Sequence, residues 1–190
     1  MRRLPRNKRP GLLADTRGVS LVEFAFLAPV FCLILAGAID LGGMLYTRYG
    51  LDAAVSAGAN YAVVNGAQVS STNGAALATT LAAIVSSSEA SNWANSTIIV
   101  NNGPTATTTA GQTVMSGTPA NADSCYCPTL IPSGVYWGGV TPCGQSCGSN
   151  QGIAGKFVYV TANKTYSPFF GNDGFIKNWT VSINAMVQAQ

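Results

Sequence analysis

The stretch RGVSLVEFAFLAPVFCLILAGAID, residues 17–40, decides how the rest of the chain is read. An Arg-Gly pair is followed by four small or apolar residues, then Glu23, then sixteen residues without a charge. A helix over 24–39 would be about 24 Å long at 1.5 Å per residue, short of the ~30 Å hydrocarbon layer of a bilayer. Carrying it on through Tyr46 gives about 34 Å, enough for one crossing with a modest tilt, and places Tyr46 and Tyr49 near the outer interface. Glu23 at the edge of such a span calls for a specific partner, because an unpaired carboxylate is costly there. The plainer alternative is that it snorkels to the cytoplasmic interface. Pro29 removes one backbone hydrogen bond and predicts a local kink or unwound turn, either a tolerated membrane-helix proline or a hinge. Asp40 interrupts the apolar run on its far side.

Charge gives the span a direction. The first seventeen residues hold six cations, Arg2, Arg3, Arg6, Lys8, Arg9 and Arg17, against Asp15 alone. After Gly18 there are four cations (Arg48, Lys156, Lys164, Lys177) against six acids, so the net +3 conceals +5 in front and −2 behind. The cations stay cytoplasmic and the C-terminal part crosses, by the positive-inside rule. The basic arm has no aromatic interleaving and runs straight into an apolar segment, which argues against a nucleic-acid partner.

Helical patterning continues past the span. Over 47–64, Leu51, Ala54, Val55, Gly58 and either Tyr61 or Ala62 form one apolar stripe, with Asp52, Ser56 and Asn60 off it. One helix of roughly 45 residues is implied, near 68 Å long. Gly50 with Ala54, Ala53 with Ala57, and Ala54 with Gly58 stand four apart. Such spacings fit either close packing between subunits or an ordinary Ala-rich helix lying on its own domain.

The residues Gly18, Glu23-Phe24, Pro29, Gly37, Asp40, Arg48, Leu51, Ala53-Ala54 and Gly58-Ala59 resemble the amino-terminal region of TadE-like proteins, the minor pseudopilins of bacterial tight-adherence (Flp pilus) systems. The resemblance covers about residues 17–61. It implies removal of the basic leader, residues 1–18, by a prepilin peptidase cutting between Gly18 and Val19, which leaves 172 residues. It also implies a single-pass inner-membrane protein with a periplasmic C-terminal domain, working with other pilins and pseudopilins, an inner-membrane assembly platform and membrane lipid. Incorporation into an extracellular adhesive pilus is the further implied destination, with a role in initiating, capping or regulating the filament. The spacing has a physical sense of its own. Cleavage would create an ammonium at Val19, mostly charged at neutral pH, one helical turn from Glu23 of the same chain or free to meet Glu23 of a neighbour.

A rival reading comes from the same residues. Ala36-Gly37-Ala38 satisfies the small-x-small rule of a secretory signal peptide, which would be cut before Ile39 and release an envelope binding module or small enzyme. Against it, the leader would be long, Glu23 would interrupt its front, and the helical pattern runs on across the supposed cut.

Beyond residue 64 the chain turns to Ser, Thr, Asn, Gly and Ala with few charges, as suits an exported domain over 65–190. Asn65-Gly66 breaks the helix, 75–85 predicts a short second one, and strands are expected at 97–100, 112–115, 156–161 and 179–187. Gly103-Pro104, the Thr run after it and 117–121 read as loops. In the last strand Val181, Ile183, Ala185 and Val187 alternate with polar residues, the pattern of a sheet covered on one face. The fold class is α+β: a long transmembrane-to-envelope helix (residues 19–64, span about 24–46), then a small antiparallel-sheet head.

Cys125, Cys127, Cys143 and Cys147 cluster in a loop-rich segment, and an exported position makes disulfides the default. A Cys125–Cys127 bond would be strained, which leaves Cys125 with Cys143 and Cys127 with Cys147, or the crossed alternative. A four-thiolate zinc site is the rival, weakened by the complete lack of histidine. The CxC-Pro stretch at 125–128 is also similar to a feature of many TadE-like proteins. Cys32 lies mid-membrane and reads as a buried apolar filler. With no His and no pair of acids at a suggestive spacing, no catalytic residue, metal or cofactor is expected.

Overall fold

The computed structural model of the chain describes residues 19–148, 152–169 and 179–190. The chain divides into two compact units, Met1–Gly42 and Gly43–Gln190, and helix α1 (Val19–Val64) contributes to both. The described residues of the first unit are all helical, and the helical run is unbroken through Pro29. No unwound turn forms there, because a proline deletes its own N–H bond while the turns on either side keep theirs.

The second unit is the head. After α1 come a 3-10 turn (Gly66–Gln68) and α2 (Gly74–Ser86), then β1 (Asn95–Val100), β2 (Thr105–Thr109), β3 (Gln112–Ser116), a second 3-10 turn (Pro119–Asp123), β4 (Thr129–Ile131), β5 (Gly134–Tyr136), β6 (Phe157–Tyr166) and β7 (Trp179–Gln188). Five strands form one sheet in the order β3-β2-β1-β6-β7, every neighbour antiparallel, and β4-β5 is a separate hairpin. The α+β architecture read from the sequence is the one observed.

α1 ends at Asn65, whose backbone N–H and side-chain amide both donate to the Tyr61 carbonyl, at 3.0 and 2.9 Å. α2 buries Leu77, Ala78, Leu81, Ala82 and Val85 at helical spacing against the sheet. The expected stripe of α1 joins them through Leu51, Ala54, Val55 and Ala62. Of the two candidates for its last position, Ala62 is fully buried and Tyr61 is 36% exposed. Gly58 is a close-approach site: a Cβ there would lie 2.8 Å from Val85 Cγ2 and 3.5 Å from Val160 Cγ1. Ala54 and Gly58 therefore serve packing within the head, and of the four-apart pairs only Ala53 with Ala57 faces outward.

The Thr run read as a loop is strand β2. Its pattern places Ala106 and Thr108 inward between β1 and β3, and threonine's branched Cβ suits an extended backbone; Thr richness alone was a poor sign of a loop. The β2–β3 link is a two-residue turn, Ala110 (φ 47°) and Gly111 (φ 80°), both left-handed as a tight hairpin requires. The β4–β5 hairpin was likewise not expected.

Hairpin β6–β7 runs the length of the head alongside α1. At one end the Tyr166 ring lies against Gly43, and at the other the Ala189 carbonyl lies against Gly66. Residues 43–64 of the helix and the ten residues of each strand both measure about 33 Å. On the helix-facing side of the sheet, Val158, Val160, Ala162 and Val181 enter the core, with Ile183, Ala185 and Val187 packed on it.

Candidate functional site

Two regions hold the residues that the sequence singled out. The first is the start of α1. Its helical backbone begins at Val19, while Gly18 and the basic residues before it lie outside the described residues. Glu23 is exposed and Phe24 is 67% exposed. From there Phe26, Leu27, Val30, Phe31, Leu33, Ile34 and Leu35 are each at least 50% exposed. At about 100° per residue these positions go all round the helix, so no single face could bury them against one neighbour. Cys32 lies on the same exterior, within the apolar run, and is free. Pro29 is exposed as well. Asp40 stands on α1 seventeen residues after Glu23, about 26 Å along the axis, so the two carboxylates act separately. Among the described residues α1 is the one helix long and apolar enough to cross a membrane.

The second region is the cysteine segment. Cys125 is bonded to Cys143 and Cys127 to Cys147, with Cα–Cα distances of 5.2 and 5.5 Å, both ordinary for a disulfide. Extended backbone at 125–127 sends Cys125 and Cys127 to one side and Tyr126 to the other. Cys125, Cys127, Cys147 and Ala154 pack together, whereas Tyr126 meets Trp137 edge-to-face at 5.9 Å and joins Tyr159 of β6. The CxC spacing thus staples a loop on one side and docks it on the outer face of the sheet on the other.

Asn101, which sequence reasoning missed, ties that segment to the sheet. Fully buried at φ 51°, it donates to the carbonyls of Ala122 and Ser124 and accepts from the Phe157 N–H at 3.1 Å. The pair Asn101-Asn102, both with positive φ, was the available signal, since asparagine tolerates that conformation best among non-glycines. Close by, Asp123 accepts from the Ser71 N–H at 2.8 Å. Hydrogen bonding from the Ser71 side chain, and then from this N–H, holds its carboxyl below the usual value against desolvation, helped by Lys156. Lys164 lies 4.2 Å over the Trp93 ring, and desolvation there lowers its pKa against the pull of Glu89. Among the described residues no group of three His, Cys, Asp or Glu side chains is placed to hold a metal. Glu89 is engaged by the Tyr46 hydroxyl at 2.7 Å, and it is not paired with another acid.

The family model for TadE-like protein matches residues 18–60. Its amino-terminal region is TadE-like. The match takes in nearly all of α1 and none of the sheet or the disulfides. The match supports involvement in the tight-adherence pilus system. No curated protein and no solved structure matches the chain. The TadE-like region is therefore also the region where the exposed apolar residues and Glu23 lie.

Proposed function

We propose that this protein is a pilin-like assembly subunit of a tight-adherence pilus, anchored in the inner membrane by α1 with its leader cytoplasmic and its head periplasmic. A prepilin peptidase cuts between Gly18 and Val19, and the processed chain joins other pilins and pseudopilins at the inner-membrane assembly platform. The supporting observation is the apolar surface of α1, exposed on every side, with one carboxylate a single turn from the residue that cleavage makes the new amino terminus.

Glu23 is then the register device. The insertion cost of an acid at the centre of a membrane helix is about 2.5–3.5 kcal/mol, and pairing with a Val19 ammonium recovers part of it. Between subunits, that pairing is satisfied at one axial offset, because sliding by a single residue moves the two charges apart by about 1.5 Å. Phe24 and the bulky residues after it fill the remaining contact with lipid or with neighbouring helices.

Glu23→Gln tests this role. The variant is expected to insert and be cut as before, but to be recovered with its pilus partners at least about tenfold less, the equivalent of 1.4 kcal/mol of lost pairing. Quantitative co-purification from crosslinked membranes reads the difference. Unchanged recovery would remove Glu23 from the assembly step.

A further inference from the structure

We infer that the head lies directly on the bilayer that α1 crosses, through a collar of Tyr46, Tyr49, Phe169 and Trp179 flanked by Arg48 and Lys164, with the boundary between lipid headgroups and hydrocarbon as its partner. This rests on the membrane-anchored reading above and adds a second contact with the same membrane.

Among the described residues of the head, five aromatic side chains are more than half exposed: Tyr46 at 64%, Tyr49 at 69%, Tyr136 at 64%, Phe169 at 82% and Trp179 at 59%. Four of the five belong to one end. Tyr166 lies against Gly43. Trp179 is the register partner of Tyr166, which sets it at the same level and on the same face of the hairpin. Phe169 follows three residues later, and Tyr46 and Tyr49 stand one and two turns along α1 from Gly43. The stretch 43–49 is about 9 Å long, close to the ~5–8 Å depth of one interfacial layer.

The partner follows from what the collar continues. Exposed apolar side chains run along α1 through Leu41 and Leu45, at 56% and 47%, and give way to tyrosines, so the chain itself marks the membrane boundary at these residues. Whatever lies level with Gly43 lies at that boundary. Trp and Tyr favour it because the ring is apolar and its polar edge reaches water. The Tyr46 hydroxyl is held by Glu89 at 2.7 Å, which leaves its ring as the outward surface. Arg48 has an aliphatic stem that can lie along the apolar layer with its charge toward phosphate, while the Lys164 ammonium is held over the Trp93 ring.

The test uses the full chain in phosphatidylcholine vesicles whose lipids are brominated high on the acyl chains, where bromine quenches only nearby tryptophan. One variant, W93F/W137F, keeps Trp179 alone; another, W93F/W179F, keeps Trp137. Trp137 is buried with Tyr126 and Tyr159, and Tyr159 is seven strand residues from Tyr166, about 23 Å away. Reaction of Cys32 with an aqueous maleimide reports insertion separately. The inference expects Cys32 protected, Trp179 emission largely lost and Trp137 emission unchanged. Cys32 protected with Trp179 unquenched overturns the collar and leaves the anchor standing. Equal quenching of both tryptophans overturns it too, since the head would then not lie by one end. Reactive Cys32 removes the anchor and the collar together.

Discussion

A Gly18→Phe chain is expected to keep its leader. On the proposed processing route, the residue before the scissile bond must enter a peptidase cleft in extended form, and glycine is the residue that offers backbone without a side chain to clash. Phenylalanine there leaves all eighteen leader residues attached, so the chain runs heavier by that segment and carries six extra cations at its start. The consequence reaches Glu23. Without a free ammonium at Val19 the carboxylate has no partner of opposite charge one turn away, and assembly is lost along with cleavage. Intact mass of the membrane-extracted chain, compared with Gly18→Ala, measures this. Normal trimming of the Phe variant would exclude Gly18 as the cleavage determinant.

The second large effect is on the head. Replacing Cys125, Cys127, Cys143 and Cys147 with serine is expected to lower its unfolding free energy by about 4–6 kcal/mol. Loops of the size closed by separations of 18 and 20 are each worth about 3 kcal/mol in the chain-entropy picture, and crossed loops add less than their sum. Against a net stability of about 5–15 kcal/mol this is a large fraction. Because Tyr126 sits between the two half-cystines, the loss should show first at the Tyr126–Trp137–Tyr159 cluster, as a red shift of Trp137 emission that precedes unfolding of the five-stranded sheet. Urea titration followed by tryptophan emission and far-UV dichroism separates the two events. A stability change under about 1 kcal/mol would mean that the staple holds nothing the core does not already hold.

How much of this was legible in the chain depended on whether a residue pattern had one physical solution. The unbroken apolar run after Glu23 had one, a helix, and the alternation Val181, Ile183, Ala185, Val187 had one, a strand with a single buried face. Small-residue spacing had two. Ala54 and Gly58 lie four apart whether they meet another subunit or Val85 and Val160, and only the tertiary structure chooses. Thr105–Thr109 was misread because a run of threonines has no hydrophobic period to read; the inward placement of Ala106 and Thr108 is set by the pairing with β1 and β3. The disulfide pairing was open by one exchange, since bonding Cys125 to Cys147 and Cys127 to Cys143 would close loops of similar size to the observed separations of 18 and 20. The Asn101-Asn102 pair signalled a turn and no more, because the three hydrogen-bond partners of Asn101 come from segments 21 to 56 residues away.

The most direct test of the account is the amino terminus of the chain as it stands in the membrane, read by mass spectrometry of the protein extracted from cells that assemble the pilus. An amino terminus at Val19, with Glu23 four residues in and α1 intact, is the predicted result. A start at Ile39 would mean that Ala36-Gly37-Ala38 is the site cut and that the head is released, and a start at Met1 would leave a plain membrane anchor; either contradicts the pilin-like route.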